Sequence, residues 1–293
     1  MLVQFQHDLL SSFYLWFENH LLGSKVKAYT TNLANNFTFV TGIPDVPATH
    51  YAYQGEFRQL VAEHNVDNPN SGFFVGSSFM TGDSDSTNVL IDHDNGRLIF
   101  PVASGTGMTI TANSTVKDVN VYMSNDDEED IIMSFDFLER GQTDSYLYGK
   151  TDRLDEKTYV LPACFITLNN SRNREFCFGG EEETITRVSV ILVAKDGYTL
   201  EGVMSAFNDT ARSIITHVPY EDFPYGAHFS IKNFPYVYGE LIAAQATYTG
   251  SISEIISVNT SKLSKSLLKE RLNKEFSVGF IDFDLSTYRY PRL

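Results

Sequence analysis

Long hydrophobic runs are absent from this sequence. The segment from Met1 to Asp8 carries neither the basic stretch nor the small-residue cleavage site of a secretory signal. No apolar run approaches the roughly 20 residues that a membrane-spanning helix needs. We therefore expect a soluble protein without membrane contact, made in a cytoplasm.

Cysteine is scarce, with two residues in a chain of 293. Cys164 and Cys177 lie on the two arms of a predicted hairpin, so a disulfide is geometrically conceivable. A reducing compartment favours two buried free thiols instead. None of the seven histidines forms a pair spaced for zinc, and the pattern Gly76-Ser77-Ser78-Phe79 lacks the last glycine of a nucleophile elbow. We predict no catalytic residue, metal or cofactor, although a carboxylate pair that comes together only in the fold stays open.

Basic residues are outnumbered. The chain has 22 Lys and Arg against 37 Asp and Glu, for a formal net charge of −15. Because nucleic acids and anionic membranes are bound through clustered Lys and Arg, the composition argues against both as partners. DNA near such a surface would be repelled, because its phosphates carry the same sign of charge.

The sequence has ample material for a packed core, with 42% hydrophobic and 13% aromatic residues. The chain is organised around residues 160–217, where the apolar period changes from about two to about 3.6. We predict a strand over Val160–Leu168, a polar loop over 169–175 and a return strand over 176–178. A buried strand over Thr184–Ala194 follows, and then a helix that Thr199 caps and whose apolar face runs as far as Ile215, with Pro219 as its stop.

The first predicted element is a helix over residues 2–22, ended by Gly23. Its apolar stripe is heavily aromatic and includes Leu9, Phe13, Trp16 and Phe17. Two alternatives are open: the helix packs on its own chain, or it is an arm that docks on a neighbouring subunit.

The middle of the chain is predicted to be β-rich. The segment Asn88–Phe100 favours a tight hairpin, because Asn95-Gly96 tolerates the positive φ angles of a type I′ turn. Further strands are expected at Met108–Ala112 and Val116–Met123. Residues 56–64 are predicted to form two helical turns, and residues 139–158 a loop or a domain junction.

The last part of the chain combines aromatic, β and helical signals. We predict that residues 219–239 form an ordered loop packed by its aromatic rings and that residues 240–258 form strands. Residues 264–276 are predicted to form a short helix, and residues 277–285 a strand that closes the sheet. The predicted fold class is α+β and β-rich, with an N-terminal amphipathic helix (1–24), a small antiparallel β domain (25–158) and an α+β sheet domain (159–293).

Acidic residues form several local groups. Asp83–Thr87 and Asp92–Gly96 each invite a calcium interpretation, but neither keeps the full loop pattern, and turns explain both. The run Asp126–Asp130 is either a solvated face or a contact for a partner. As interface hypotheses we therefore name two groups of side chains: Leu9, Phe13, Trp16 and Phe17 in the first helix, and Asp126, Asp127, Glu128 and Glu129 in the acidic run.

Five segments together resemble a known group of proteins. They are Asn88–Phe100; Val116–Tyr122; Pro162–Phe165 with Phe176–Glu182; Thr260–Leu263; and Gly279–Phe283. Their succession is similar to virion structural proteins of tailed bacteriophages, in particular the neck and tail connector type. The resemblance is one of pattern and brings no active-site residues with it.

The resemblance implies a non-enzymatic subunit of the virion neck, connector or tail. Its partners would be copies of itself in a cyclic oligomer and other neck or tail proteins, and it would be made in the host cytoplasm. A baseplate position is the alternative within this class. The alternative from another class is a β-rich carbohydrate-binding or hydrolytic module, with Tyr and Phe side chains as sugar platforms.

Overall fold

The chain forms an α+β, β-rich structure, as its sequence predicts. The computed structural model describes residues 5–43, 46–47, 49–66, 72–81, 89–100, 108–139, 158–177, 180–226, 230–232, 235–246, 252–264 and 276–290. The candidate calcium segment Asp83–Thr87, most of the predicted junction (140–157) and most of the predicted helix 264–276 (265–275) lie outside these residues.

The described residues contain four α-helices: α1 Phe5–Leu22, α2 Glu128–Ser134, α3 Gly197–Asn208 and α4 Tyr238–Ala246. The strands are β1 Tyr29–Val40, β2 Tyr51–Gln54, β3 Gly72–Val75, β4 Ser78–Thr81, β5 Leu90–Asp92, β6 Arg97–Phe100, β7 Ile110–Lys117, β8 Asn120–Met123, β9 Asp136–Glu139, β10 Thr158–Leu161, β11 Ala163–Glu175, β12 Glu182–Ala194, β13 Ile214–Thr216, β14 Ile252–Lys262 and β15 Ser277–Arg289.

The first sheet is antiparallel and has the strand order β4-β3-β7-β1-β2-β6-β5. Its own core includes Tyr53, Phe73, Leu98 and Phe100. The predicted hairpin is present as β5 and β6, but its turn is wider than a type I′ turn. Asp92 pairs with Arg97, which leaves four residues between the strands, and only Gly96 among them has a positive φ.

The second sheet is mixed and has the order β13-β14-β15-β12-β11-β8. The strand β12 lies inside it, as predicted, because it pairs with β11 on one side and with β15 on the other. The predicted polar loop over 169–175 is wrong, since β11 continues to Glu175 in register with β12. Its polar side chains are exposed because this half of the strand extends past the core. The strand predicted to close the sheet, β15, is also internal.

The chain changes from the first sheet to the second between β7 and β8. The strand β8 pairs in parallel with β11, so residues 120–123 belong to the second sheet. The pair β9 and β10 is also parallel, and Phe137 and Tyr159 from it pack on the second sheet. The change of sheet therefore comes well before the boundary predicted at 158/159.

The helix α3 starts as the sequence predicts but ends earlier. Asp196, and not Thr199, is its N-cap, and its side chain accepts a hydrogen bond of 2.8 Å from the Thr199 N–H. The helix ends at Asn208, and Ile214 and Ile215 lie in the edge strand β13. Within 240–258, predicted as strands, α4 takes the first part and β14 the second.

The two predicted helical turns over 56–64 are wrong. This segment is irregular and largely buried, and Gln59 has a φ of 52°. Its backbone bonds to distant partners: Leu60 N–H donates to His93 O at 2.7 Å, and Val61 N–H to Thr115 O at 2.9 Å. These bonds to distant segments take the place of the local ones that a helix would need.

Aromatic side chains fill the layer between the helices and the second sheet. The rings of Phe17 and Phe207 stack with centroids 4.2 Å apart, and Phe13 meets Phe283 edge-on at 5.0 Å. From the predicted aromatic loop, Phe223, Tyr225 and Tyr236 are buried in the same core. Among the described residues, α2 and the strands β9 and β10 cover one end of the opposite face of the second sheet.

Candidate interaction surfaces

The described residues include no group of three or more His, Cys, Asp and Glu side chains arranged to hold a metal ion. The turn weighed above as a calcium loop uses its acidic group internally. Asp92 Oδ1 accepts from the Asn95 N–H at 2.9 Å, and Asp92 Oδ2 accepts from Asn95 Nδ2 at 3.0 Å. The turn interpretation therefore accounts for Asp92–Gly96.

Both cysteines are free thiols, which agrees with the predicted alternative to a disulfide, but only one is buried. Burial raises the pKa of the Cys164 thiol well above its usual range, so this side chain is an apolar core residue. Cys177 is exposed, and its Sγ lies 3.6 Å from Glu181 Oε2 near the end of the β11–β12 hairpin.

One hydroxyl and one imidazole come together in the second sheet. His217 Nε2 lies 2.7 Å from Ser253 Oγ, which also hydrogen-bonds Thr287 Oγ1. Burial lowers the pKa of His217 to about 4, and the Phe5 ring lies 5.7 Å from the imidazole. Because Ser253 is fully buried, this pair joins β14 and β15 to the end of β13 and presents no hydroxyl to a substrate.

A buried ion pair connects the first sheet to α1. Lys117 of β7 pairs with Glu18 of α1, and the two side chains are only 4% and 5% exposed. The Tyr225 hydroxyl also hydrogen-bonds Glu18, at 3.0 Å from Oε2 and 3.2 Å from Oε1. Removing one partner of such a pair leaves a buried charge without compensation, at a cost of about 3–5 kcal/mol. The pair therefore holds the first sheet against the helical layer.

Gln59 is a second link between the sheets. Its N–H donates to Asp94 O at 3.0 Å, and its carbonyl accepts from the Lys117 N–H at 3.0 Å. Its side chain bonds the start of the second sheet: Oε1 accepts from the Val121 N–H at 3.0 Å, and Nε2 donates to Val121 O at 3.2 Å and to Asp94 Oδ1. One side chain thus bridges the β5–β6 turn and β8.

Two carboxyl groups lie in or beside the irregular residues 56–64, which we call the connecting segment. They are Glu63 in the segment and Asp94 in the β5–β6 turn. Burial raises the pKa of Glu63 to about 7, although the hydrogen bond from the Tyr238 N–H favours the charged form. Burial, reinforced by the neighbouring Asp92, likewise raises the pKa of Asp94 to about 7. We attribute these shifts to structural burial, since both groups lie where the connecting segment packs between α1, α4 and the first sheet.

The predicted acidic interface lies at the start of α2. Asp126, Asp127, Glu128 and Glu129 are exposed, and Asp127 is the N-cap, although its side chain accepts no capping hydrogen bond. Negative charge at this end of a helix is favourable on its own account. A cavity of about 430 Å³ opens beside it; its lining includes Gln6, His7, Leu10, Ser124 and Asn169. The four acidic residues 126–129 are therefore accessible, and their contact with a partner stays a prediction.

The apolar half of the predicted interface is not accessible. Leu9, Phe13, Trp16 and Phe17 are buried in the core of their own chain. Of the two alternatives for the first helix, the structure has the packed one. A neighbouring subunit does not reach these four side chains in this arrangement.

Several of the exposed large apolar side chains among the described residues lie on the second sheet, and we did not predict them. Five side chains there are each between 45% and 59% exposed: Phe176, Ile214, Ile252, Ile256 and Tyr288. The rings of Phe176 and Tyr288 lie 4.6 Å apart. The signal was present in the alternation Ile252-Ser253-Glu254-Ile255, which places one isoleucine in the core and one on the other face of the strand.

A scan against protein-family models and a search of curated proteins both find no match to this chain. Of the helices within the described part of the chain, none combines the length and the apolar character that crossing a membrane requires.

Proposed function

We propose that this chain is a non-enzymatic structural subunit of a tailed-phage particle. It would form part of the neck, the connector or the tail, in a cyclic oligomer with copies of itself and in contact with other neck or tail proteins. The observation that carries this proposal is the group of half-exposed Ile, Phe and Tyr side chains on the second sheet. Exposed apolar side chains grouped on one surface are typical of protein–protein contacts.

The charge distribution supports the same proposal. A net charge of −15 and the exposed acidic start of α2 would let DNA pass a lumen without being held. Acidic groups at an exposed helix end also provide a contact for a basic surface on a neighbouring subunit. The proposed position in the neck, connector or tail rests on the pattern resemblance of the sequence, and the baseplate is the alternative position.

A carbohydrate-binding or hydrolytic module is the second candidate. Its supporting observation is that the exposed rings of Phe176 and Tyr288 lie at one end of a polar sheet face. The two rings are inclined by 56°, so they do not form the flat platform on which a sugar ring stacks. This geometry makes the module the weaker of the two candidates.

Two measurements test the proposal. Light scattering on the purified chain should give a ring mass or an assembly that grows with concentration, and a cryo-EM map of the whole particle should show the chain in a ring at the neck or tail. A stable monomer with measurable affinity for glycans would favour the second candidate. Absence of the chain from purified particles would overturn the proposed position.

A further inference from the structure

The second sheet has an outer face that is partly exposed among the described residues, although Ile185 and Ser286 at its centre are buried. We define this outer face by two rows of side chains that the strand register places side by side. The first row runs across five strands as Arg172, Ile185, Ser286, Glu254 and Ile214. The second row is Arg187, Asp284 and Ser257.

Each row carries one basic and one acidic side chain at equal distances on the two sides of the line between β12 and β15. Arg172 lies on β11 and Glu254 on β14, one strand outside the central pair β12 and β15 on either side. With neighbouring strands about 4.8 Å apart, the two positions are separated by roughly 14 Å. In the second row, Arg187 on β12 faces Asp284 on β15, with Nε 3.0 Å from Oδ1.

Most of the exposed apolar side chains lie on the acidic side of the outer face, which is the side of β15, β14 and β13. Tyr288, Ile252 and Ile214 lie on the side of β15, β14 and β13, together with Ile256 in the bulge of β14. The side of β11 carries the exposed Arg172 and Arg174 and, beyond the strand, Phe176. Arginine stems cover apolar surface while their charged ends stay hydrated or pair with acids.

We propose that the outer face docks on the outer face of a second copy of this chain, about a two-fold axis that runs along the strands between β12 and β15. This rotation exchanges the two sides of the face. Arg172 of each copy then lies over Glu254 of the other, Arg187 lies over Asp284, and the isoleucines lie against the arginine stems. A self-complementary patch is what a two-fold interface requires.

The axis direction agrees with how sheets pack. Face-to-face sheets keep their strands roughly aligned, about 30° apart, with their mean planes about 10 Å apart. Rotation about the strand direction preserves this alignment. An axis across the strands would instead place Arg172 near Arg172 and leave the charges unpaired.

This contact goes beyond the proposed function. A ring of more than two copies needs a contact between two unlike patches, whereas this face matches itself. It would therefore join two copies, or two rings, and give an even number of chains.

The experiment is a charge exchange between two copies. Arg172→Glu alone and Glu254→Arg alone each place like charges together twice in the pair and should weaken the association about a hundredfold. In an equimolar mixture, a pair of unlike variants has one original contact of Arg172 with Glu254 and one contact with the signs exchanged, and we expect its association to return to within about threefold of the original. Ile252→Asp should weaken association without rescue by either variant.

Size-exclusion chromatography with light scattering gives the masses, and far-UV circular dichroism checks that each variant folds. Lys25→Glu and Glu221→Arg, which reverse exposed charges away from the outer face, are the matched controls and should leave the mass unchanged. Single variants that keep the original mass would overturn this contact. They would not affect the proposed ring, which the cryo-EM map of the particle tests separately. An original chain that stays monomeric up to about 100 μM, a concentration at which an association with a Kd in the μM range is detectable, would also overturn it.

Discussion

At the scale of the residue, Gly96 shows how closely the first sheet and the connecting segment approach each other. Its φ is +64°, and a Cβ at this position would lie 1.8 Å from the Phe57 carbonyl oxygen. Gly76 has a similar φ of +58° with nothing within 4 Å of a Cβ, so it is a matched control.

We expect Gly96→Ala to lower the free energy of unfolding by about 3 kcal/mol or more, because the backbone of Phe57 has to move. Gly76→Ala should cost about 1 kcal/mol, the strain of the left-handed conformation alone. Urea unfolding of both variants measures the difference. Equal losses would show that Phe57 yields freely and that the close approach has no energetic consequence.

Glu63 should make the stability of the fold depend on pH. Its pKa is raised from the ordinary 4.5 to about 7. A carboxyl group raised in this way contributes stability that is complete below pH 4.5 and is lost as the pH rises through about 7, because the folded state then has to carry a buried charge. The span corresponds to roughly 2–3 kcal/mol.

Glu63→Gln should therefore lose less stability than the original chain between pH 5 and pH 8. Urea unfolding at the two pH values gives the comparison, and taking the difference between variants cancels the contributions of Asp94 and His217. Glu129→Gln, at an exposed position of α2, is the control and should keep the original pH dependence. An unchanged slope in Glu63→Gln would show that this carboxyl group stays charged in the folded state.

At the scale of the element, α1 behaves as a core helix in the structure. Phe17 is fully buried and stacks on Phe207 at 4.2 Å. Phe17→Ala should lower the free energy of unfolding by about 3–5 kcal/mol, as for other buried aromatic side chains. Tyr198→Ala, at an 89% exposed side chain of α3, should change it by less than about 0.5 kcal/mol.

Deletion of residues 1–22 should unfold the chain for the same reason. Circular dichroism and urea unfolding of the truncated protein decide between the two alternatives for the helix. A truncated chain that remains folded but no longer assembles would show that α1 acts as an arm in the assembled protein.

The elements that the sequence predicts correctly are those whose buried faces give a regular spacing of apolar residues. The helix α1, the start of α3 and the strands β12 and β15 bury a continuous stripe or both faces, so their apolar spacing is visible. The polar half of β11 pairs with β12 through its backbone and through hydrogen bonds between polar side chains, such as Ser171 Oγ with Thr186 Oγ1 at 2.8 Å, and its composition resembles that of a loop. Such a strand leaves no apolar signal to detect.

The connecting segment and the outer face depend on distant residues. The three partner residues of Gln59 lie up to 62 positions away in the sequence, and its positive φ has no local signature. The outer face requires the register of four strands, since Arg172 and Glu254 become a symmetric pair only once β12 and β15 lie between them. No window of the sequence contains that arrangement.

At the scale of the whole molecule, the net charge of −15 opposes any contact between copies. The repulsion acts over the Debye length, about 10 Å at 0.1 M salt and about 3 Å at 1 M. The proposed pairs of Arg172 with Glu254 act at contact distance and lie at the rim, where exposed pairs contribute about 0–1 kcal/mol each. The apolar contacts of Ile214, Ile252 and Tyr288 do not weaken with salt.

Self-association should therefore strengthen as sodium chloride is raised from about 0.05 M to about 0.5 M, because screening removes more repulsion than attraction. Sedimentation velocity across this range at constant protein concentration measures the change. The Ile252→Asp variant should associate more weakly than the original chain at every salt concentration, because it loses an apolar contact that salt does not weaken. Dissociation of the original chain at high salt would show instead that charge pairs dominate the contact.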